Sequence, residues 1–251
     1  MLQTVEATRY VVPLREGGSL PAIVEASDDG MYVVKFTGAG QGPRVLAAEI
    51  IAAGIADALG IAVPDRRLID FPAAVAKYEA DEEAQDLLNA SPGLNLGSDY
   101  LPGAAAYEAA TDIESDLASR IMWLDALIMN IDRTWHNPNL LVWHSRVWCI
   151  DHGASLYFHH GWERSVDPAR FASSGFRFDD HVLAEVGEVT EGVHATCAPL
   201  VTDDVLHAAV ADVPDQWLLP NADTDEPRGV RAAYVEYLAR RRDAAPWLTG
   251  Q

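Results

Sequence analysis

The chain has 251 residues, nearly half of them hydrophobic, and 38 acidic against 18 basic residues give a net charge of −20. That balance excludes binding of DNA or RNA through a broad basic surface, which needs many lysines and arginines to displace counterions; it leaves room for a small basic pocket or a basic protein partner. No run approaches the roughly 20 apolar residues of a membrane helix, Met1–Arg9 shows no basic-then-apolar leader, and the two cysteines, Cys149 and Cys197, form neither a disulfide framework nor a zinc pattern. The expectation is a cytoplasmic protein, of one large domain or two lobes, with no membrane partner.

Arg9–Leu14 is a short apolar run broken by Pro13. Arg15–Pro21 turns the chain and Ala22–Ala26 alternates as a strand. Within that turn, Gly17, Gly18 and Ser19 read equally as a plain hairpin turn and as a loop whose backbone N–H groups cover phosphates. Asp28-Asp29-Gly30 turns the chain again, into a strand over Met31–Phe36. Tyr32, Val34 and Phe36 share one face, and Met31, Val33 and Lys35 the other. A lysine among apolar neighbours either snorkels to solvent or holds an anion.

Gly38, Gly40 and Gly42 suit a flexible tether better than a phosphate loop. Pro43 then fits a first helical position and Gly60 a C-terminal stop, which predicts a helix over Arg44–Leu59. Glu49 is its only charge between Val45 and Ala56, on the side of Val45, Ala52, Ala53 and Ala56. A carboxylate on so small and apolar a face points to one buried cation, with Lys35 the obvious one; otherwise it is solvated.

Arg67–Phe71 reads as a strand, Glu79–Asn89 as a short acidic helix, and Gly93–Gly103 as a segment leaving the first half. A helix over Glu114–Met129 carries Leu117, Ile121, Leu124 and Ile128 at helical spacing. Ser115 suits its cap, and Asp125 reads as a paired, structural carboxylate.

Asn130–Gly153 carries the chemistry. Two apolar runs, Leu140–Trp143 and Val147–Ile150, joined by His144-Ser145-Arg146, spell a hairpin. A hairpin brings its ends together, so Asn137 and Asp151 should lie side by side. Their amide and carboxylate oxygens are hard ligands suited to magnesium. Asp132, five residues before Asn137, can face the same spot and take a proton from a hydroxyl. Phosphoryl transfer needs that combination of a base and a metal clamp.

His152, His159 and His160 match no usual zinc spacing, and His152 is expected to stack or bond beside the metal-binding turn. Trp162–Phe178, with Arg164, Arg170 and Arg177, reads as a substrate platform or as a loop packed on helices. His181–Val189, Ala195–Pro199, Asp203–Val213 and Arg228–Asp243 read as further helices or parts of helices. Arg240-Arg241-Arg242 closes the last, where cations suit the helix dipole.

The order Asp132-Arg133, Asn137, a hairpin, then Ile150-Asp151-His152-Gly153 has the spacing of the protein-kinase catalytic loop and metal-binding turn. With Gly17–Pro21, Val33–Phe36 and the Glu49 helix, it resembles the HipA-like kinases and, more distantly, the phosphoinositide 3/4-kinase-like group. The resemblance implies an α+β, two-lobed protein-kinase-like fold. A small β-rich N-lobe with one key helix would span residues 1–103, and a larger, mainly helical C-lobe residues 104–251. It implies ATP and Mg²⁺, with Lys35 on phosphate, Glu49 positioning it, and Asp132 as base toward a serine or threonine hydroxyl. Asn137 and Asp151 would hold metal, and Tyr100 and Leu101 would sit at the adenine hinge. The acceptor is a protein or a small molecule bearing a hydroxyl; a small-molecule or lipid kinase, and a catalytically silent binding module, stay open. The toxin members of the family carry an additional N-terminal subdomain and are longer.

Overall fold

The computed structural model describes residues 1–15, 19–40, 42–75, 80–163, 167–169, 171–218 and 226–248. They pack as two compact units: Met1–Leu46 with Pro64–Pro102, and Ala47–Val63 with Gly103–Gln251.

The first unit is a closed five-stranded barrel. Its strands are β1 (Thr4–Pro13), β2 (Ala22–Ala26), β3 (Met31–Lys35), β4 (Arg66–Phe71) and β5 (Gly93–Asp99), in the order β1-β2-β3-β5-β4. Parallel pairing of β1 with β4 closes it, and every other neighbour is antiparallel. Closure removes the unpaired edges an open sheet would present. Alternate residues fill the interior: Val5, Ala7, Val24, Tyr32, Val34 and Ile69 are buried together. Phe36 meets Phe71 edge-on, with ring centroids 5.4 Å apart. Gly97 is required where β4 and β5 crowd, since a Cβ there would lie 2.7 Å from Ile69 Cγ1.

The helix α2 (Glu82–Asn89) is capped by Asp81, whose side chain accepts the N–H groups of Glu83 and Ala84. It starts later than the expected helix, whose first residue, Glu79, lies outside the described residues. The loop after β3 is pinned to the end of α2. Buried Asn95 accepts the Thr37 N–H at 2.9 Å and donates to the carbonyls of Ser91 and Gly93. Gly38 donates to Ser91 Oγ at 3.0 Å, and a Cβ there would lie 2.8 Å from that of Ala90. Gly38 therefore serves close packing, not the flexible tethering expected of it.

The second unit holds most of α1 (Pro43–Ala58) and is otherwise built around α3 (Ser115–Ile128). Every side chain from Ile121 to Ile128 is buried, as in a helix surrounded by protein. A small sheet, β6 (Ala105–Ala106), β7 (Leu140–Trp143) and β8 (Arg146–Cys149), follows. The β7–β8 hairpin forms as expected but with a two-residue turn: His144 and Ser145 have φ of 48° and 58°, the left-handed pair that matches strand twist. Then come α4 (Glu191–Cys197), α5 (Asp203–Ala211), α6 (Asp215–Leu218) and α7 (Pro227–Ala244). Thr190 and Thr202 cap α4 and α5.

Three expectations are corrected here. Residues 181–189 are turns, because α3 satisfies their backbone: Ser115 Oγ donates to the Val186 carbonyl at 2.8 Å and Glu188 N–H donates to Ser119 Oγ at 3.0 Å. Ser115 is thus no cap; Glu114 stands at that position, without a side-chain bond. Arg241 is no dipole ornament. It is fully buried and donates to the carbonyls of Ala126, Leu127, Phe171, Ala172 and Ser174. It thereby ties α7 to the end of α3.

Candidate active site

Helix α3 ends at Met129, whose φ of 58° turns the chain out of the helix. The loop that follows is held by a buried polar cluster. Asp125 Oδ2 receives Arg133 Nε at 2.6 Å and His181 Nε2 at 3.0 Å, and Oδ1 receives Asn130 Nδ2 at 2.8 Å. Both partners of the Arg133–Asp125 ion pair have 0% exposed side chains. Burial by itself would raise the Asp125 carboxyl, but the Arg133 charge and the His181 bond outweigh it and hold the group well below the carboxylate range. His181 Nδ1 accepts the Leu183 N–H at 3.1 Å, which assigns the ring proton to Nε2, facing Asp125. Arg133 also donates to the Asn139 carbonyl. Asp125 is therefore structural, as its sequence context suggests. The sequence reading missed Arg133 and His181; the one available signal was a basic residue directly beside Asp132.

Asp132, next to this anchor, is half-buried. Its Oδ2 accepts Asn137 Nδ2 at 2.8 Å and Asn139 Nδ2 at 3.3 Å. Among the described residues Oδ1 accepts no hydrogen bond, so that oxygen is left for a proton. The loop is closed by reciprocal backbone bonds between Thr134 and Asn137, at 3.0 and 3.2 Å. Asn137 is exposed. Its amide nitrogen is spent on Asp132, which leaves its oxygen available.

The hairpin returns the chain beside the loop: Ile150 N–H bonds to the Asn139 carbonyl at 3.1 Å. Asp151 follows at φ 53°, a conformation aspartate tolerates better than most residues. His152 then donates its backbone N–H to Glu49 Oε2 at 2.9 Å, and its Nδ1 stands 3.7 Å from the same oxygen. His152 Nε2 is buried without a hydrogen bond among the described residues. With the ring proton on Nδ1, facing Glu49, only a lone pair is left unpaired there.

In the first unit, Lys35 lies on β3, half-buried, on the face away from the barrel core. Ser19 stands in the loop between the paired strands β1 and β2, while Gly17 and Gly18 lie outside the described residues. Tyr100 N–H bonds to the Met31 carbonyl at 2.9 Å, and Leu101 is buried. Cys149 and Cys197 are buried free thiols, pushed up to about 12 and about 11 by desolvation. Among the described residues no three His, Cys, Asp or Glu side chains converge as a metal site.

A cleft of about 400 Å³ opens between the 129–134 and 175–181 stretches, and Asp132 itself is not among its lining residues. Its walls are joined by a bridge between Thr134 and His181 and by the Val182 N–H bond to the Arg133 carbonyl.

A β-rich N-terminal region followed by a mainly helical C-terminal region is the two-lobed, protein-kinase-like architecture. The chain is similar to a Helicobacter pylori proinflammatory kinase, CtkA, at 12% identity over 95% of each chain, with a TM-score of 0.55. Two structures of the Golgi casein kinase, one with Mn/ADP bound, align at 12% and 13% identity, 97% of this chain and 73% of theirs, with TM-scores of 0.44 and 0.42. No curated protein matches the chain. The sequence model of the HipA-like kinases matches residues 8–248. The chain belongs to the HipA-like kinase family, and its enzymatic class is that of a kinase.

Proposed function

We propose that the chain transfers the γ-phosphate of ATP to a serine or threonine hydroxyl of a protein, with magnesium. The observation that carries this is the Asp132 carboxylate, fixed through one oxygen by Asn137 and Asn139 and open at the other. In the step, the acceptor oxygen bonds to the γ-phosphorus, the bond from that phosphorus to the β–γ bridging oxygen breaks, and ADP leaves with the electron pair. The acceptor proton goes to Asp132 Oδ1.

The residues present fit the metal: Asn137 Oδ1 and the Asp151 carboxylate are hard oxygen donors on either side of one hairpin, and would hold Mg²⁺ with waters and phosphates completing its shell. The ion supplies charge neutralisation at the phosphates. Glu49 holds the turn after Asp151 through the His152 N–H. Lys35 supplies positive charge to the α- and β-phosphates, the 17–19 turn backbone N–H groups, and Tyr100 and Leu101 the adenine contacts. In this reading residues 1–103 serve the nucleotide and residues 104–251 the acceptor.

The test is incubation with γ-labelled ATP and magnesium, alone and with a protein lysate, beside Asp132→Asn. Label on protein from the wild type only supports the reading. Equal label from both sinks it.

A further inference from the structure

We infer that Asn130 is a positioning residue for the transfer: its amide ties the main chain of Asp132 to the buried Asp125 and so fixes where the open oxygen of Asp132 points. The inference rests on the reading of Asp132 as base.

Asn130 is 1% exposed, and both ends of its amide are used. Nδ2 donates to Asp125 Oδ1 at 2.8 Å, and Oδ1 accepts the Asp132 N–H at 3.3 Å. Its own N–H bonds to the Asp125 carbonyl at 2.8 Å. An asparagine oxygen on the N–H two residues later is a common local turn. What sets this one apart is the nitrogen end. It rests on a carboxylate with a 0% exposed side chain, which Arg133 and His181 hold as well. The turn is thereby referred to a rigid point of α3.

The stretch needs such a tie. Met129 leaves the helix at φ 58°, and Ile131, between Asn130 and Asp132, is 65% exposed, so packing gives its side chain little hold. Asn137 and Asn139 bond Asp132 through Oδ2 alone. A carboxylate held at one oxygen can still swing about it and carry the other oxygen along. Held at its main chain too, it has one place for Oδ1, which is the preorganisation a proton acceptor requires. Misplacing a reacting group by about 1 Å can slow the chemistry by about 10²-fold. None of these bonds touches the nucleotide side, so the effect belongs to turnover and not to the KM for ATP.

The experiment measures transfer from γ-labelled ATP to lysate protein by the wild type, Asp132→Asn, Asn130→Ala and Asn130→Asp. Rates at saturating ATP are taken per folded molecule, from urea melts of the same samples. Asn130→Ala is expected to be at least tenfold slower than wild type, with the KM for ATP within threefold. Asn130→Asp keeps an oxygen for the Asp132 N–H, loses the donor toward Asp125 and sets a second acid against it. It is expected to transfer at least threefold faster than Asn130→Ala, a rescue that loss of stability does not produce. A smaller fall in Asn130→Ala overturns the inference, because Asn130 then serves the fold alone. So do a smaller rescue, a larger change in KM, and failure of both variants to fold. In each of these cases the kinase reading stands while Asp132→Asn is inactive. Equal label from wild type and Asp132→Asn removes the reading of Asp132, and the inference with it.

Discussion

Glu49 accepts the backbone N–H of His152 at 2.9 Å across 103 positions of sequence. A carboxylate on an apolar helix thereby holds the residue directly after Asp151. Glu49→Ala is expected to leave that N–H buried without a partner, a cost of about 1–3 kcal/mol. The larger effect falls on catalysis: kcat/KM for ATP drops by about 10–100-fold, the range typical of lost partners behind a metal ligand. Steady-state kinetics beside a urea melt separate the two effects.

Asp132→Asn keeps the size of the side chain but removes its basicity. Transfer is expected to slow by about 10²–10⁴-fold, the usual contribution of a general base. Nucleotide binding, measured by calorimetry, is expected to persist within threefold.

Arg133→Leu leaves Asp125 buried and charged with only His181 and Asn130 beside it. Breaking one side of a buried ion pair costs about 3–5 kcal/mol, and the midpoint in urea reports it. The double variant Arg133→Leu, Asp125→Leu is expected to recover part of the loss, because no unpaired charge remains.

The same pair sets an acid limit. The folded-state value of Asp125 lies below its unfolded one, so the native state binds fewer protons in that range. Its contribution is complete above the unfolded carboxylate value of about 3.9 and is lost as pH falls from there toward the folded value. Urea midpoints between pH 7 and pH 3 are expected to fall more steeply for the wild type than for Asp125→Asn.

Two adjacent arginines should behave as opposites. Arg240 pairs with Glu236 on the surface, both side chains about half exposed, so Arg240→Ala is expected to change stability by less than about 0.5 kcal/mol. Arg241→Met removes the donors for five carbonyls and leaves the buried ones unpaired. Loss of about 3 kcal/mol or more is expected from their desolvation alone, read as a fall in melting temperature.

The shape of the Asp132–Asp151 stretch was legible in the sequence because its geometry is local. The hairpin over Leu140–Cys149, the step from Asp132 to Asn137 and the alternation of Met31–Phe36 need only neighbours along the chain. What escaped reading depends on distant partners. The 181–189 stretch has apolar residues at helical spacing, but two serines of α3 take its backbone groups instead. His181 meets Asp125 across 56 positions, a pairing no spacing rule reports. The arginine triplet has the composition of a solvated helix end, and only the packing of α7 distinguishes Arg241 from its neighbours. Glu49 stood out as a lone charge on an apolar face, yet its bond to a backbone N–H has no side-chain signature.

The Arg241 clamp also bears on how the protein is made. On the ribosome the barrel strands β1–β5 emerge first and can close among themselves, since all their pairings lie within residues 4–99. The last turn of α3, from which the Asp132 loop departs, waits for a guanidinium that is translated 114 residues after Leu127. At about 5–20 residues per second, this interval is about 6–23 s of synthesis. A nascent chain therefore completes its N-terminal barrel well before the loop that carries Asp132 is locked in place.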